Sequence, residues 1–318
     1  MPRVLLLAFD GAQTLDLLGP AEVFAMAARL SGTRAYEVLA VTSDGRTIRT
    51  SSGIRTETIS IAEAGLEPSD TVLAVGGDEA PLVAALADRE LVGFLTRAAT
   101  EARRVGSICS GAFLLAATGA LDGHRAATHW ASCDRLAAFR PSVEVDREAI
   151  FVKEGRVWTS AGVTTGLDMA LAMVEEDLGR PLADSVAARL VLYVRRPGHQ
   201  SQFSEALVAQ TEGSDPLGAA IVWARANLRT LDVPRLAKRA GLSVRTLHRR
   251  SLELVGTTPA KLIERLRVEH ARALLAKRGR SAKVVAAQCG FGSPDRMRRA
   301  FARVLGMGPR EYLLLFGD

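Results

Sequence analysis

Val233-Pro234-Arg235-Leu236-Ala237-Lys238-Arg239-Ala240, then Gly241-Leu242-Ser243, then Val244 to Glu253 is the stretch that decides how the back of this 318-residue chain folds. It reads as a short helix, a tight turn and a second helix. Gly241 can take the left-handed backbone of such a turn, and Ser243 is a natural N-cap for the second helix. Leu236, Ala237, Ala240, Leu242 and Leu247 supply a buried side. Arg245 and Arg249, four residues apart, then share an outward stripe with Arg250 close by. That is a helix-turn-helix, a unit whose second helix is free to enter the major groove of DNA.

The signal recurs 49 residues later as Ala286-Ala287-Gln288-Cys289-Gly290-Phe291-Gly292-Ser293, followed by a helix from about Pro294 to Leu305. Proline suits a first helical position, where the amide needs no partner. Met297 and Phe301 face inward there, leaving Arg296, Arg298 and Arg299 on the remaining surface. Between the units, Pro259 to about Lys277 has apolar residues at helical spacing. It reads as a long connecting helix with Arg265, Arg267 and Arg272 on its polar side. Charge agrees: residues 217–318 hold 21 lysines and arginines against 7 aspartates and glutamates, whereas residues 1–216 hold 20 against 28. A basic block behind an acidic one points to nucleic acid as the partner of the back half. The plainer account of most of these arginines is solvated surface or pairing within a helix, as for Arg265 with Glu269. For Arg245, Arg249, Arg296 and Arg299 groove contact is the expectation, because arginine pairs bidentately with guanine. Ser243, Thr246, Arg250, Asp295 and Arg298 complete the expected DNA-facing set.

Through Gly290-Phe291, Ser293, Phe301, Gly306, Pro309 and Tyr312 this segment resembles the AraC/XylS regulator family. Ser251 stands where that family usually closes its first unit with an aromatic ring, and Gly308 where serine is common. The resemblance implies double-stranded DNA and RNA polymerase as partners, and activation rather than repression.

Upstream, Val4–Phe9, Tyr36–Val41, Thr71–Val75 and Arg104–Ile108 read as strands. Asp16–Ala28, Pro81–Ala102, Gly111–Ala120 and Thr165–Leu178 read as helices. Such alternation implies an α/β sandwich with a mainly parallel sheet, whose ligand sites gather at the carboxyl ends of the strands. Val105-Gly106-Ser107-Ile108-Cys109-Ser110-Gly111-Ala112 is a strand, a sharp turn and a helix start with cysteine at the corner, as in a nucleophile elbow. A helix N-terminus there favours a thiolate, and the backbone amides behind it can hold an oxyanion. Gly76 and Gly77 end another strand and bring their amides toward the same place. Asp16 either caps the helix it opens or reaches this pocket, and the sequence leaves both open. His129 and Trp130 serve the fold at least as well as a ligand, although His129 is placed to line the pocket.

Leu15-Asp16-Leu17-Leu18-Gly19-Pro20, Val75-Gly76-Gly77, Cys109-Ser110-Gly111, Ala127-Thr128-His129-Trp130 and Thr159-Ser160-Ala161-Gly162 resemble the PfpI/ThiJ-like branch of the class I glutamine amidotransferase-like superfamily. With the tail, they look like the GlxA-type regulators. That likeness implies an α/β sandwich (flavodoxin-like, PfpI/ThiJ-like) followed by an all-α domain with two helix-turn-helix units. Residues 1–196 would be a sensor and dimerisation domain, 197–216 a linker and 217–318 the DNA-binding domain. The likeness implies a homodimer, and a small-molecule effector bound near Asp16, Gly76, Gly77, Cys109, Ser110 and His129.

Amidotransferase and peptidase-like relatives place histidine directly after the elbow cysteine. Here that residue is Ser110, and a thiol with no positioned base is a poor hydrolase nucleophile. Isocyanide hydratase relatives work with a Cys and an Asp, a pair present here as Cys109 and Asp16. Three readings therefore stand. The preferred one is a ligand-responsive regulator without catalysis. The others are a hydratase-like enzyme with a DNA-binding appendage, and a regulator that senses oxidation of Cys109.

Composition closes other classes. Cys109, Cys133 and Cys289 are too scattered for a disulfide framework or a cysteine-built zinc site. His124, His199, His248 and His270 share no metal spacing, so neither metal nor cofactor is expected. No run approaches the ~18 apolar residues of a membrane helix, and Val4–Phe9 is too short for a signal-peptide core. A reduced, cytoplasmic protein with no membrane partner is the expectation.

Overall fold

The computed structural model describes residues 2–33, 35–192, 198, 216–255, 257–275, 281–305 and 308–316. The expected linker, 197–216, lies outside the described residues except for Gly198 and Pro216. The chain divides into two compact units, Met1–Gln202 and Phe203–Asp318.

The first unit is built on seven strands: β1 (Arg3–Leu7), β2 (Glu37–Thr42), β3 (Ile59–Ser60), β4 (Thr71–Ala74), β5 (Arg104–Ile108), β6 (Phe151–Glu154) and β7 (Val157–Ser160). Their order is β6-β7-β5-β4-β1-β2-β3, parallel throughout except for the β6–β7 hairpin. Val4 to Leu7 and the whole of β4 and β5 are buried, as a parallel sheet covered on both faces requires. Among the described residues six of its helices, α1 (Thr14–Leu30), α2 (Glu79–Ala87), α3 (Arg89–Glu101), α4 (Ala112–Ala117), α5 (Thr165–Leu178) and α6 (Arg180–Arg189), flank the sheet, and short helices at Ile61–Ala64 and Cys133–Phe139 lie outside this set. α1, α5 and α6 pack on one another, and α2, α3 and α4 form a second group. At the amino end of β5, Arg104 is buried against Asp177, which also accepts the Tyr36 hydroxyl at 2.8 Å. This pair ties β5 to α5 and leaves the carboxyl ends of the parallel strands to the site.

Two expectations for this unit need correcting. One helix over Pro81–Ala102 is in fact two, because Asp88 caps α3, its carboxylate accepting the amides of Glu90 and Leu91 at 3.0 and 3.2 Å. The helix expected over Gly111–Ala120 ends at Ala117 and is preceded by a 3-10 turn at Cys109–Gly111. The β6–β7 hairpin and α6 have no counterpart in the sequence reading.

The second unit holds α7 (Pro216–Ala226), α8 (Val233–Arg239), α9 (Val244–Val255), α10 (Pro259–Leu275), α11 (Ala282–Gln288), α12 (Pro294–Leu305) and α13 (Pro309–Phe316). It has two separate cores. Leu217, Ile221, Leu236 and Leu247 gather around Leu262 and Leu266; Val285, Phe291, Met297 and Phe301 gather around Val268 and Ala271. α10 thus lends its front half to one core and its rear half to the other. Where an aromatic ring usually closes the first core, the fully buried Ser251 donates to the Thr257 carbonyl at 2.7 Å.

Arg265, Arg267 and Arg272 do not lie on a polar side of α10. Arg265 is buried, Arg267 donates to the carbonyls of Leu228 and Leu231, and Arg272 donates to the Tyr312 hydroxyl at 3.0 Å. Helical periodicity sorts arginine as polar, yet its long apolar stem packs inward while the guanidinium finds acceptors. Among the described residues, no helix is long and apolar enough to cross a membrane.

Candidate functional site

In the first unit, β5 delivers Cys109 to the carboxyl edge of the sheet with φ of +57°. A non-glycine residue in that region is strained and persists only where its surroundings hold it. Here they do. The Thr128 hydroxyl donates to the Cys109 carbonyl at 2.9 Å. Next to it, the Ser110 hydroxyl donates to the Gly77 carbonyl at 2.8 Å and accepts the Gly77 amide at 2.9 Å. The loop after β4 is thereby stitched to the elbow, as the sequence spacing of Gly76 and Gly77 anticipates.

Asp16 is wholly buried in the first turn of α1. It does not cap its own helix. Its Oδ1 accepts the amide of Val163, from the loop after β7, at 2.6 Å. Oδ2 is buried with no hydrogen bond of full geometry among the described residues, and the groups that bear on the carboxyl besides Val163 are the Cys109 thiol and the Gly76 amide. Burial lifts the carboxyl to about 6, against the opposing pull of those three neighbours. Burial also pushes the Cys109 thiol up, and the Asp16 charge adds to the rise against the Ser110 amide and hydroxyl. The turn amides therefore do not produce the thiolate that an elbow at a helix start suggests. Desolvation outweighs them, and Cys109 stands as a neutral thiol at pH 7.

A cleft of about 330 Å³ opens on this edge, and Gly77, Cys109, Ser110 and His129 line it. Asp16 and Gly76 are not among its lining residues and sit behind it, so the expected ligand set splits into a surface and a support. His129 is half-buried, burial pushes its pKa down, and its Nδ1 accepts the Ala131 amide at 3.4 Å. The ring is therefore neutral. The cleft also takes in Gln13, Asp78, Glu79 and Arg135, none of which the sequence reading named. Asp78-Glu79 directly after the Gly-Gly strand end carried a usable signal; Arg135, on a separate helix, carried none. Glu79 and Arg135 pair at 3.0 Å across the cleft. No group of His, Cys, Asp or Glu among the described residues has metal-holding geometry.

In the second unit, both turn-helix pairs are built alike. Gly241 and Gly290 hold φ of +65° and +79° at the turns. Ser243 Oγ accepts the Thr246 amide at 3.1 Å, and Ser293 Oγ accepts the Arg296 amide at 3.3 Å, so each second helix starts on a serine cap. Leu247, Ser251 and Val255 form the buried line of α9, with Arg245 and Arg249 exposed opposite and Arg250 half-exposed beside them. Met297, Phe301 and Leu305 form the buried line of α12, with Asp295, Arg296, Arg298 and Arg299 exposed. Three weak pairs tie some of these arginines locally: Arg249 and Arg250 to Glu253 at 3.8 and 3.9 Å, and Arg298 to Asp295 at 3.9 Å. Such exposed pairs are worth about 0.3–0.5 kcal/mol and exchange readily for phosphate.

Comparison with known proteins matches both units. The DJ-1/PfpI family pattern covers residues 2–176, and a helix-turn-helix domain pattern covers residues 236–314. The HTH-type transcriptional regulator GbdR of Pseudomonas aeruginosa is 28% identical over 310 residues, 96% of this chain and 82% of that one. The HTH-type transcriptional regulator GlxA of Rhizobium meliloti is 30% identical over 281 residues, 88% of this chain and 86% of that one. An isonitrile hydratase of Pseudomonas putida is 32% identical over 184 residues, 58% of this chain and 75% of that one.

Proposed function

The chain belongs to the DJ-1/PfpI family and joins that fold to an AraC-type helix-turn-helix domain, and from this we propose that it is a DNA-binding transcription regulator whose first unit senses a small molecule. The observation that carries the reading is the doubled turn-helix pair, each second helix presenting exposed arginines opposite its buried line. Arg245, Arg249, Arg296 and Arg299 are the proposed base-edge contacts. Ser243, Thr246, Arg250 and Arg298 are the proposed phosphate contacts, which give affinity without sequence information, and Asp295, whose carboxylate phosphate repels, is proposed to accept from a base amine. Residues 1–196 are the proposed sensor and 217–318 the reader. A ligand seated on Gly77, Cys109, Ser110 and His129, with Asp16 and Gly76 supporting them, must bind one arrangement of the protein better than another, since equal affinity shifts nothing. A homodimer would present four turn-helix pairs, and an activator of this kind works beside RNA polymerase in the cytoplasm.

Selection from a random duplex pool by the full chain, at about 150 mM salt because affinity depends steeply on it, tests the reading. Enrichment of a motif with two half-sites is the expected result. Unenriched DNA, with and without a metabolite library, would overturn it.

A second reading, hydratase-like turnover, is favoured by one observation, the buried Asp16 carboxyl with the Cys109 thiol beside it. Hydration of an isonitrile by the purified chain, abolished by Cys109→Ala, would establish it.

A further inference from the structure

The two cores of the second unit share α10 and change over at Arg267, since Leu266 belongs to one and Val268 to the other. Two small cores strung on one helix would swivel as that helix bends, because a contact along a single axis leaves rotation about it free. A contact away from the axis removes that freedom, and Arg267 makes one. Its guanidinium donates from Nη2 to the Leu231 carbonyl at 2.7 Å, and from Nε and Nη2 to the Leu228 carbonyl at 3.3 Å. Both carbonyls lie in the connection between α7 and α8, in the first half of the unit. Gly290, the turn of the second half, closes on the same point. A Cβ there would fall 2.3 Å from the Leu228 oxygen and 3.0 Å from Arg267 Nε. The first half, the connecting helix and the second turn therefore meet around one side chain.

We propose that Arg267 is the positioning residue that fixes the two reading helices relative to one another, and so sets the half-site spacing that one chain accepts. The proposal rests on the DNA-reading assignment above for its consequence, though not for its geometry. Two reading helices reach adjacent major grooves only if their separation matches one turn of DNA, about 34–36 Å. One inserted base pair moves the second half-site by about 3.4 Å and turns it by about 34°. A rigid reader cannot follow that displacement, whereas a swivelling one can.

The geometric test needs no DNA. Spin labels carried on ketone-bearing residues at His248 and Ala302, both exposed, leave the native cysteines untouched in the full chain. The wild type is expected to give one narrow distance distribution and Arg267→Met one at least about twice as wide. Should Arg267→Met fail to fold, Arg267→Lys keeps the charge but loses the fork, and must broaden the distribution measurably. A broad wild-type distribution, or a narrow one in the folded variants, overturns the proposal. On the selected operator, one added base pair should weaken wild-type binding by about tenfold or more, within the cost of a lost base contact, and Arg267→Met by less than about threefold. A uniform loss for all spacings overturns the positioning role. Failure to select any operator would count against the regulator reading while leaving the distance measurement to decide the geometry.

Discussion

A Cβ placed on Gly162 would fall 2.1 Å from the Cβ of Cys109 and 2.7 Å from its Sγ, and Gly162 itself sits at φ of +88°. The elbow side chain is thus seated against backbone that admits no other residue. Gly162→Ala should cost about 2–4 kcal/mol, combining overpacking with left-handed strain. Gly155→Ala is the control: its φ is +60° but nothing lies within 4 Å, so it should cost only about 1 kcal/mol from backbone strain. Thermal melting of the full chain, followed in the near-ultraviolet, compares the two. Equal losses would mean that the crowding at Cys109 carries no energy.

The Asp16 carboxyl makes a pH prediction. Its folded pKa, about 6, lies above its ordinary 3.8 because burial penalises the charge. A raised carboxyl contributes its stability fully below the unfolded value and loses it as pH rises through the folded one. Between about pH 4 and pH 7 the native state should lose about 2 kcal/mol through this group. Asp122, Asp177 and Glu176 have lowered values and act in the opposite sense as pH falls, but they are common to wild type and Asp16→Asn. The stability of Asp16→Asn relative to wild type, from urea melts, should therefore improve by about 2 kcal/mol from pH 4.5 to 7.5. No change would place the carboxyl in a wetter site.

How far these features could be read beforehand depended on how local their causes are. Thr165–Leu178 and Pro294–Leu305 emerge at their observed bounds, because the period of the first, and the period, serine cap and proline of the second, all lie within a few residues. Asp88 split an apparently single helix because an aspartate inside a periodic run looks like surface until its carboxylate is seen on the Glu90 and Leu91 amides. Asp16 reads equally as cap or pocket residue, and its partner is the Val163 amide, 147 residues away. Arg267 reads as a polar-side residue for the same reason: its acceptors, Leu228 and Leu231, are 39 and 36 residues back. The turn at Cys109 is legible from the strand before it and the glycine after it, but the sign of its pKa shift is not, since burial depends on every element packed around it.

That sign leads to a reactivity prediction. With burial and Asp16 both raising its pKa, Cys109 should be alkylated by iodoacetamide at pH 7.5 at less than about a tenth of the rate of a free cysteine, the thiolate being the nucleophile. Asp16→Asn should speed the reaction by removing the smaller of the two causes while leaving burial in place. Peroxide at levels that spare the fold should leave DNA binding unchanged in both wild type and Cys109→Ser. Fast alkylation, or peroxide-sensitive binding that Cys109→Ser abolishes, would instead establish a redox sensor.

The reading helices divide by what their arginines face. Arg245 and Arg299 are exposed opposite the buried lines of α9 and α12, whereas Arg298 is paired with Asp295 at 3.9 Å. Arg245→Ala or Arg299→Ala should weaken the selected operator by about 10–100-fold, a loss of about 1–3 kcal/mol for a bidentate base contact. The same changes should weaken random duplex only a few-fold. Arg298→Ala should weaken both DNAs alike and lower the salt slope by about 0.9 for one lost phosphate contact. Titrations of operator and random duplex across a salt series separate these outcomes. If Arg245→Ala and Arg299→Ala also lose affinity equally on the two DNAs, those side chains lie on phosphate, and specificity must come from other positions on the same two helices.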